Sequence, residues 1–177
     1  EERIVIIKHK KNIGQSKSIL TGIRASNFDT IITLDGDGQN NPSDIPILVK
    51  KFFSDKQLSL VGGIRVSRKD GFIKSFSSKI ANLVRSKYLD DGCTDTGCAL
   101  KVFDKNIFLK FPFFDGIHRF LPALYKGYGY NTYFMSVDHR ARISGSSKYG
   151  TFKRLFKGII DIFRVIKIIK LYNKKYK

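Results

Sequence analysis

Thr33-Leu34-Asp35-Gly36-Asp37-Gly38-Gln39-Asn40-Asn41-Pro42 sets two aspartates, one residue apart, in a glycine-rich turn. Ahead of it runs Thr30-Ile31-Ile32-Thr33-Leu34, a β-branched apolar stretch that predicts a buried strand. The aspartates therefore fall at the carboxyl end of a strand, where open α/β sheets bind their ligands. Two hard carboxylates there suit Mg²⁺ or Mn²⁺, which takes one or two protein carboxylates and fills its shell with water and phosphate oxygens. The same letters also suit a plain turn, since Asp-Gly and Asn-Pro are common turn formers.

Working outward, Arg3 to Lys8 predicts a short buried strand and Gln15 to Ser26 a helix with Ile19, Leu20 and Ile23 on one side. Pro42-Ser43 opens a helix through Phe53, with Ser43 or Asp44 as its N-cap and Pro46 in the first turn. Leu58 to Ile64 is the next strand. Strand and helix alternating at this pace predict an α/β fold of βαβ units. Phe72 to Leu89 has helical spacing, with Asp90-Asp91-Gly92 as its end. Cys98 to Phe103 reads as a strand, Ile117 to Tyr125 as a helix and Tyr130 to Val137 as a strand. A basic Gly/Ser loop, Arg140 to Gly150, leads into a long amphipathic segment, Thr151 to Tyr172.

Composition narrows the function classes. The 177 residues fit one domain with a real core, and 42% hydrophobic content excludes a disordered chain. Thirty-three Lys and Arg against 15 acids give a formal charge of +18, which calls for an anionic partner. Nucleic acid is disfavoured: aromatics are not interleaved with basic residues in an RNA-binding pattern, and no helix-turn-helix or zinc signature is present. Cys93 and Cys98 are too few for a disulfide framework and wrongly spaced for a zinc knuckle. No run approaches the ~18 apolar residues of a transmembrane helix.

Six motifs occur in order: Asn12-Ile13-Gly14-Gln15-Ser16, the Asp35/Asp37 turn, Gly62-Gly63-Ile64-Arg65, Asp95-Thr96-Gly97-Cys98, His118-Arg119-Phe120-Leu121-Pro122, and His139-Arg140-Ala141-Arg142 followed by Gly145-Ser146-Ser147-Lys148-Tyr149. Together they resemble the family 2 glycosyltransferases of GT-A fold, most closely the polyprenyl-phosphate (dolichol- or undecaprenyl-phosphate) type. The resemblance implies a mixed, mainly parallel sheet flanked by helices. It also implies an N-terminal truncation: the chain starts at what resembles the family's third strand, leaving an incomplete donor pocket and an exposed sheet edge. Residues 1–150 would form a partial GT-A domain, and residues 151–177 a basic amphipathic helix at an anionic membrane interface.

The resemblance also assigns roles. Asp35, Asp37 and Gln39 match the DxD metal motif. Arg65 matches the acceptor-phosphate arginine, with Lys74 and Ser78 beside it, and Asp95 the catalytic carboxylate. Arg142, Ser147 and Lys148 would close over the donor diphosphate together with Asp35 and Asp37. His118-Arg119 would border the cleft. The expected reaction moves a sugar from a UDP- or GDP-sugar to a polyprenyl phosphate at the cytoplasmic membrane face, with inversion and a divalent metal. A sugar-hydroxyl acceptor in surface-polysaccharide assembly, or an inactive truncated relative, are the alternatives; a homo-oligomer is left open.

Overall fold

The computed structural model describes residues 4–66, 85, 88–140 and 151–176, with the side chains of 151–156 set aside. Its order is α1 (Gln15–Ala25), β1 (Thr30–Thr33), a 3₁₀ turn (Pro42–Asp44), α2 (Ile45–Ser54), β2 (Leu58–Arg65), β3 (Lys101–Asp104), α3 (Lys105–Phe108), a second 3₁₀ turn (Ile117–Arg119), α4 (Leu121–Gly127), β4 (Asn131–Val137) and α5 (Thr151–Tyr176). The cap of the first 3₁₀ turn is Asn41, whose Oδ1 accepts from Ser43 N at 3.1 Å, in place of the expected Ser43 or Asp44.

The four strands form one mixed sheet in the order β1-β3-β2-β4. β3 runs antiparallel to both β1 and β2, while β2 and β4 are parallel. Three strands thus share one direction, as expected of a mainly parallel sheet. The β1–α2–β2 crossover leaves a gap one strand wide, and β3 fills it.

Two apolar layers flank the sheet. On one face Ile31, Phe103 and Leu60 form a cross-strand row packed under Leu121, Leu124 and Tyr125 of α4 and Ile162 and Val165 of α5. On the other, Val61 and Val102 meet Leu48 and Phe52 of α2. Tyr125 is fully buried, and its hydroxyl donates to Asp104 O at 2.6 Å, so no polar atom is stranded there. Each such side chain contributes about 1.5–3 kcal/mol by leaving water.

Two expectations change. Ile4, Val5 and Ile6 are exposed (72, 80 and 86%) and form no strand. A run this short holds an extended form only with a ladder partner, and none among the described residues pairs with it. The apolar face expected of the last helix divides. Ile162 and Val165 are buried and Ile166 and Ile169 half-buried against the core, while Ile159, Ile160 and Phe163 face outward. No helix among the described residues is long and apolar enough to cross a membrane.

Candidate functional site

One face of the sheet changes character along its length. The row Ile31–Phe103–Leu60 is core; two residues on, the register brings Thr33, Lys101, Gly62 and Phe134 into line. There Thr33 and Lys101 line an open cleft of about 1400 Å³. Gly62 is required by space: a Cβ at this point would lie 2.9 Å from the Phe134 ring.

The first wall is the turn after β1. Asp35 Oδ1 accepts from the Gln15 amide at 3.2 Å, and Asp35 N donates to Asn40 Oδ1 at 3.3 Å. Asp37 Oδ1 accepts from Gln39 N at 3.2 Å, the Asx turn that this composition favours. The Gln39 amide lies 3.4 Å from His139 Nε2, Arg140 N donates to Gln39 O at 2.9 Å, and Arg140 Nη2 donates to Asn41 Oδ1 at 2.7 Å. The segment after β4 therefore packs on the aspartate turn. The sequence places His139 only in a basic cluster; its approach to Gln39 emerges from the fold.

The second wall is the segment 91–100. Asp95, 5% exposed, accepts from Arg65 Nε at 2.6 Å and Arg65 Nη2 at 2.8 Å, a bidentate pair, and from Arg65 N at 3.2 Å. The expected acceptor arginine and catalytic carboxylate thus form one paired unit, its carboxylate buried and its guanidinium at the cleft. Asp91 was expected only to end a helix. It is buried instead, pairs with Arg85, and accepts from Cys93 N at 3.0 Å, while Arg85 Nη1 donates to Cys93 O at 3.0 Å. Burial pulls the Arg85 pKa down to about 10, and pushes both thiols, Cys93 and Cys98, up. Lys101 donates to Cys98 O; burial lowers its pKa, against the opposing pull of Cys98, Cys93, Asp95 and Asp35.

The third wall joins α1 to α5. Ser16, 1% exposed, accepts from Gly116 N at 2.7 Å and lies 2.9 Å from His118 Nδ1. Burial, then the charges of Arg119 and Lys101, depress the His118 pKa to about 4, so the ring is neutral at pH 7. Arg119 Nη2 donates to the buried Asp161 of α5 at 2.8 Å, and Arg164 binds the other oxygen at 3.0 Å. Burial pushes the Asp161 carboxyl up, against those two guanidiniums. Gly116 sits at φ 109°, a left-handed backbone that also lets Arg119 and Asp161 close over it. Lys157 donates to Asp115, whose pKa it holds down.

Asp35, Asp37, Gln39, Arg65 and His118 all line this cleft, and Asp95 is held at its edge by Arg65. Lys74, Ser78, Arg142, Ser147 and Lys148 lie outside the described residues. Sequence reading missed Lys101, Arg85 and the structural part of Asp91. Lys101 did leave a signal, a lysine inside the apolar run Ala99-Leu100-Lys101-Val102-Phe103.

Residues 1–113 match the family described as glycosyl transferase family 2. The chain belongs to that family. Among curated relatives this family 2 chain is 35% identical to dodecaprenyl-phosphate galacturonate synthase of Rhizobium johnstonii, over 91% of its own length and 48% of that protein. It is 33% identical to undecaprenyl-phosphate 4-deoxy-4-formamido-L-arabinose transferase of Photorhabdus laumondii, over 92% of itself and 49% of that protein. The chain thus spans about half the length of these relatives. Among solved structures it resembles glucosyl-3-phosphoglycerate synthase of Mycobacterium tuberculosis, crystallised with Mn²⁺, UDP-glucose and phosphoglyceric acid. The TM-score is 0.65 at 14% identity, covering 89% of this chain and 56% of that one. The fold is GT-A.

Proposed function

We propose that this chain carries the reaction centre of a glycosyltransferase that moves a sugar from a UDP- or GDP-sugar to a polyprenyl phosphate, inverting the anomeric carbon, at the cytoplasmic membrane face. The observation that supports it most is the shared cleft: the Asp35/Asp37 turn on one wall and the Arg65–Asp95 pair on the other. Similarity to two polyprenyl-phosphate sugar transferases points the same way.

Asp35, Asp37 and Gln39 would hold Mg²⁺ or Mn²⁺. The donor set fits a hard cation, with two carboxylates and an amide oxygen in one turn and the His139 imidazole 3.4 Å from that amide. Bound there, the metal would neutralise charge on the departing diphosphate. In the protein's own chemistry, the Arg65 fork meets the acceptor phosphate and holds it for in-line attack, with Asp95 and the phosphate competing for the guanidinium. Asp95 has both oxygens on Arg65 and is poorly placed to take a proton. That favours an acceptor already ionised, a phosphate, over a sugar hydroxyl that needs a base. Arg142, Ser147 and Lys148 are proposed for the donor diphosphate, and Lys74 and Ser78 for the acceptor phosphate, from their places in the sequence.

The outer side of α5 carries exposed Ile160, Phe163 and Leu171 among exposed Lys167, Lys170 and Lys174. We assign this face, in residues 151–177, to an anionic membrane surface, where lysine charge and inserted apolar groups act together.

The test is transfer of radiolabelled sugar to undecaprenyl phosphate by the full-length protein. Product formation that is lost in Asp37→Ala and in Arg65→Ala supports the reading; no product, or product retained in both variants, overturns it. Asp95→Asn separates the acceptors: a mild loss fits phosphate, and a near-dead enzyme fits a hydroxyl.

A further inference from the structure

Ahead of the β2–β3 ladder, two carbonyls of the segment that carries Asp95 are held by side chains. Three successive carbonyls are each taken by a different strand: Cys98 O by Lys101 of β3, Ala99 O by Thr33 Oγ1 of β1 at 2.7 Å, and Leu100 O by Gly63 N of β2 at 2.9 Å. Cys98 N donates back to Asp95 O at 3.3 Å and closes the turn. Two of these latches are neutral. The third is a lysine amine, 4% exposed, at the first residue of β3 and paired across the sheet with Thr33 and Gly62. A buried lysine is a costly way to satisfy one carbonyl that a neutral donor would serve. Lys101 does, however, line the cleft together with Asp35 and Arg65, and so stands between the two walls.

We infer that Lys101 is a positioning residue for transfer: its ammonium fixes the 95–98 turn to the start of β3, and so sets the Asp95–Arg65 pair at a constant separation from the aspartate turn. The inference rests on the reaction proposed above, but its structural half is separately measurable. Lys101 does not touch either substrate in this scheme. It acts through the Cys98 carbonyl, so its removal shifts a loop by a fraction of an ångström rather than deleting a contact with the reacting atoms.

The experiment compares Lys101→Met, Lys101→Arg and Thr33→Val in the full-length protein by thermal melting, hydrogen exchange over residues 93–100, and kcat and KM for donor and acceptor. In Lys101→Met the stem still fills its place while the desolvated charge is gone, so melting stays at or above wild type. Exchange in 93–100 rises about tenfold or more, and kcat falls about 30- to 100-fold with donor KM within about threefold, the scale of a small misplacement of reacting groups. Lys101→Arg, which keeps a cation, restores most of the protection and part of kcat. Thr33→Val removes a neutral latch and loses about threefold in kcat. Wild-type exchange in Lys101→Met overturns the inference, as does a kcat loss that merely tracks a lowered melting temperature. If the wild-type protein transfers no sugar, the proposed reaction fails, while the exchange arm still decides whether Lys101 holds the turn.

Discussion

The two walls of the cleft are built by opposite means. On the aspartate turn, Asp35 and Asp37 are half-buried and accept from the Gln15 amide and the Gln39 backbone. Across the cleft, Asp95 and Asp91 are buried and met by guanidiniums, Arg65 and Arg85. A half-buried carboxylate is reachable from the cleft. A buried carboxylate locked to arginine fixes the shape of a loop. Substitution on each wall should therefore break a different thing.

The largest effect falls on the first wall. Asp37→Ala is expected to lower transfer about 1000-fold, the scale of losing a group that stabilises charge in the transition state, while unfolding free energy changes by about 1 kcal/mol or less. Steady-state kinetics beside chemical denaturation checks both halves. Asp95→Ala should do the reverse in stability: the mostly buried Arg65 guanidinium loses its partner, and unfolding free energy drops by about 3 kcal/mol in a urea titration. Equal stability losses at Asp37 and Asp95 would erase the contrast.

His118 sharpens it along the pH axis. Its folded pKa of about 4 lies below the ordinary 6.5, so between those values the unfolded chain binds the proton more readily. Stability is therefore full above about pH 6.5 and falls as pH drops through that window, by up to about 3 kcal/mol. His118→Gln should flatten this part of the stability–pH curve, measured by denaturation at half-unit steps. The smallest expected effect is at the outer face of α5. Phe163→Asp should weaken binding to vesicles rich in anionic lipid about tenfold at fixed salt, with transfer to a detergent-dispersed acceptor little changed. Cosedimentation reads the first and the transfer assay the second.

What could be read from residue order divides along the same line. The aspartate turn is local. Strand, acid pair and turn residues are contiguous, so its place at a strand end was legible. So were the helices and strands with clear periodicity, Gln15–Ala25, Leu58–Arg65 and Asn131–Val137. The second wall is not local. Arg65 and Asp95 are thirty residues apart, and each invites a role of its own until the fold pairs them. Asp91 reads as the end of a helix because its partnership with Arg85 depends on a turn no periodicity reveals. β3 begins at Lys101 rather than Cys98 because the carbonyls of Cys98 and Ala99 are taken by side chains, those of Lys101 and Thr33, before regular pairing starts. The division of α5 into a packed and an outward side follows from which apolar residues meet α4, again a tertiary fact.

The central claim is that both walls serve one reaction, and a double-mutant cycle with Asp37→Ala and Arg65→Lys in the full-length protein tests it most directly. Arg65→Lys keeps a cation beside Asp95 but loses the guanidinium fork. Groups that act as a unit are strongly non-additive. The account predicts that each variant alone loses most sugar transfer to undecaprenyl phosphate, and that the double variant is about as slow as the slower single one. Additive losses, or a single variant with wild-type transfer, would contradict it.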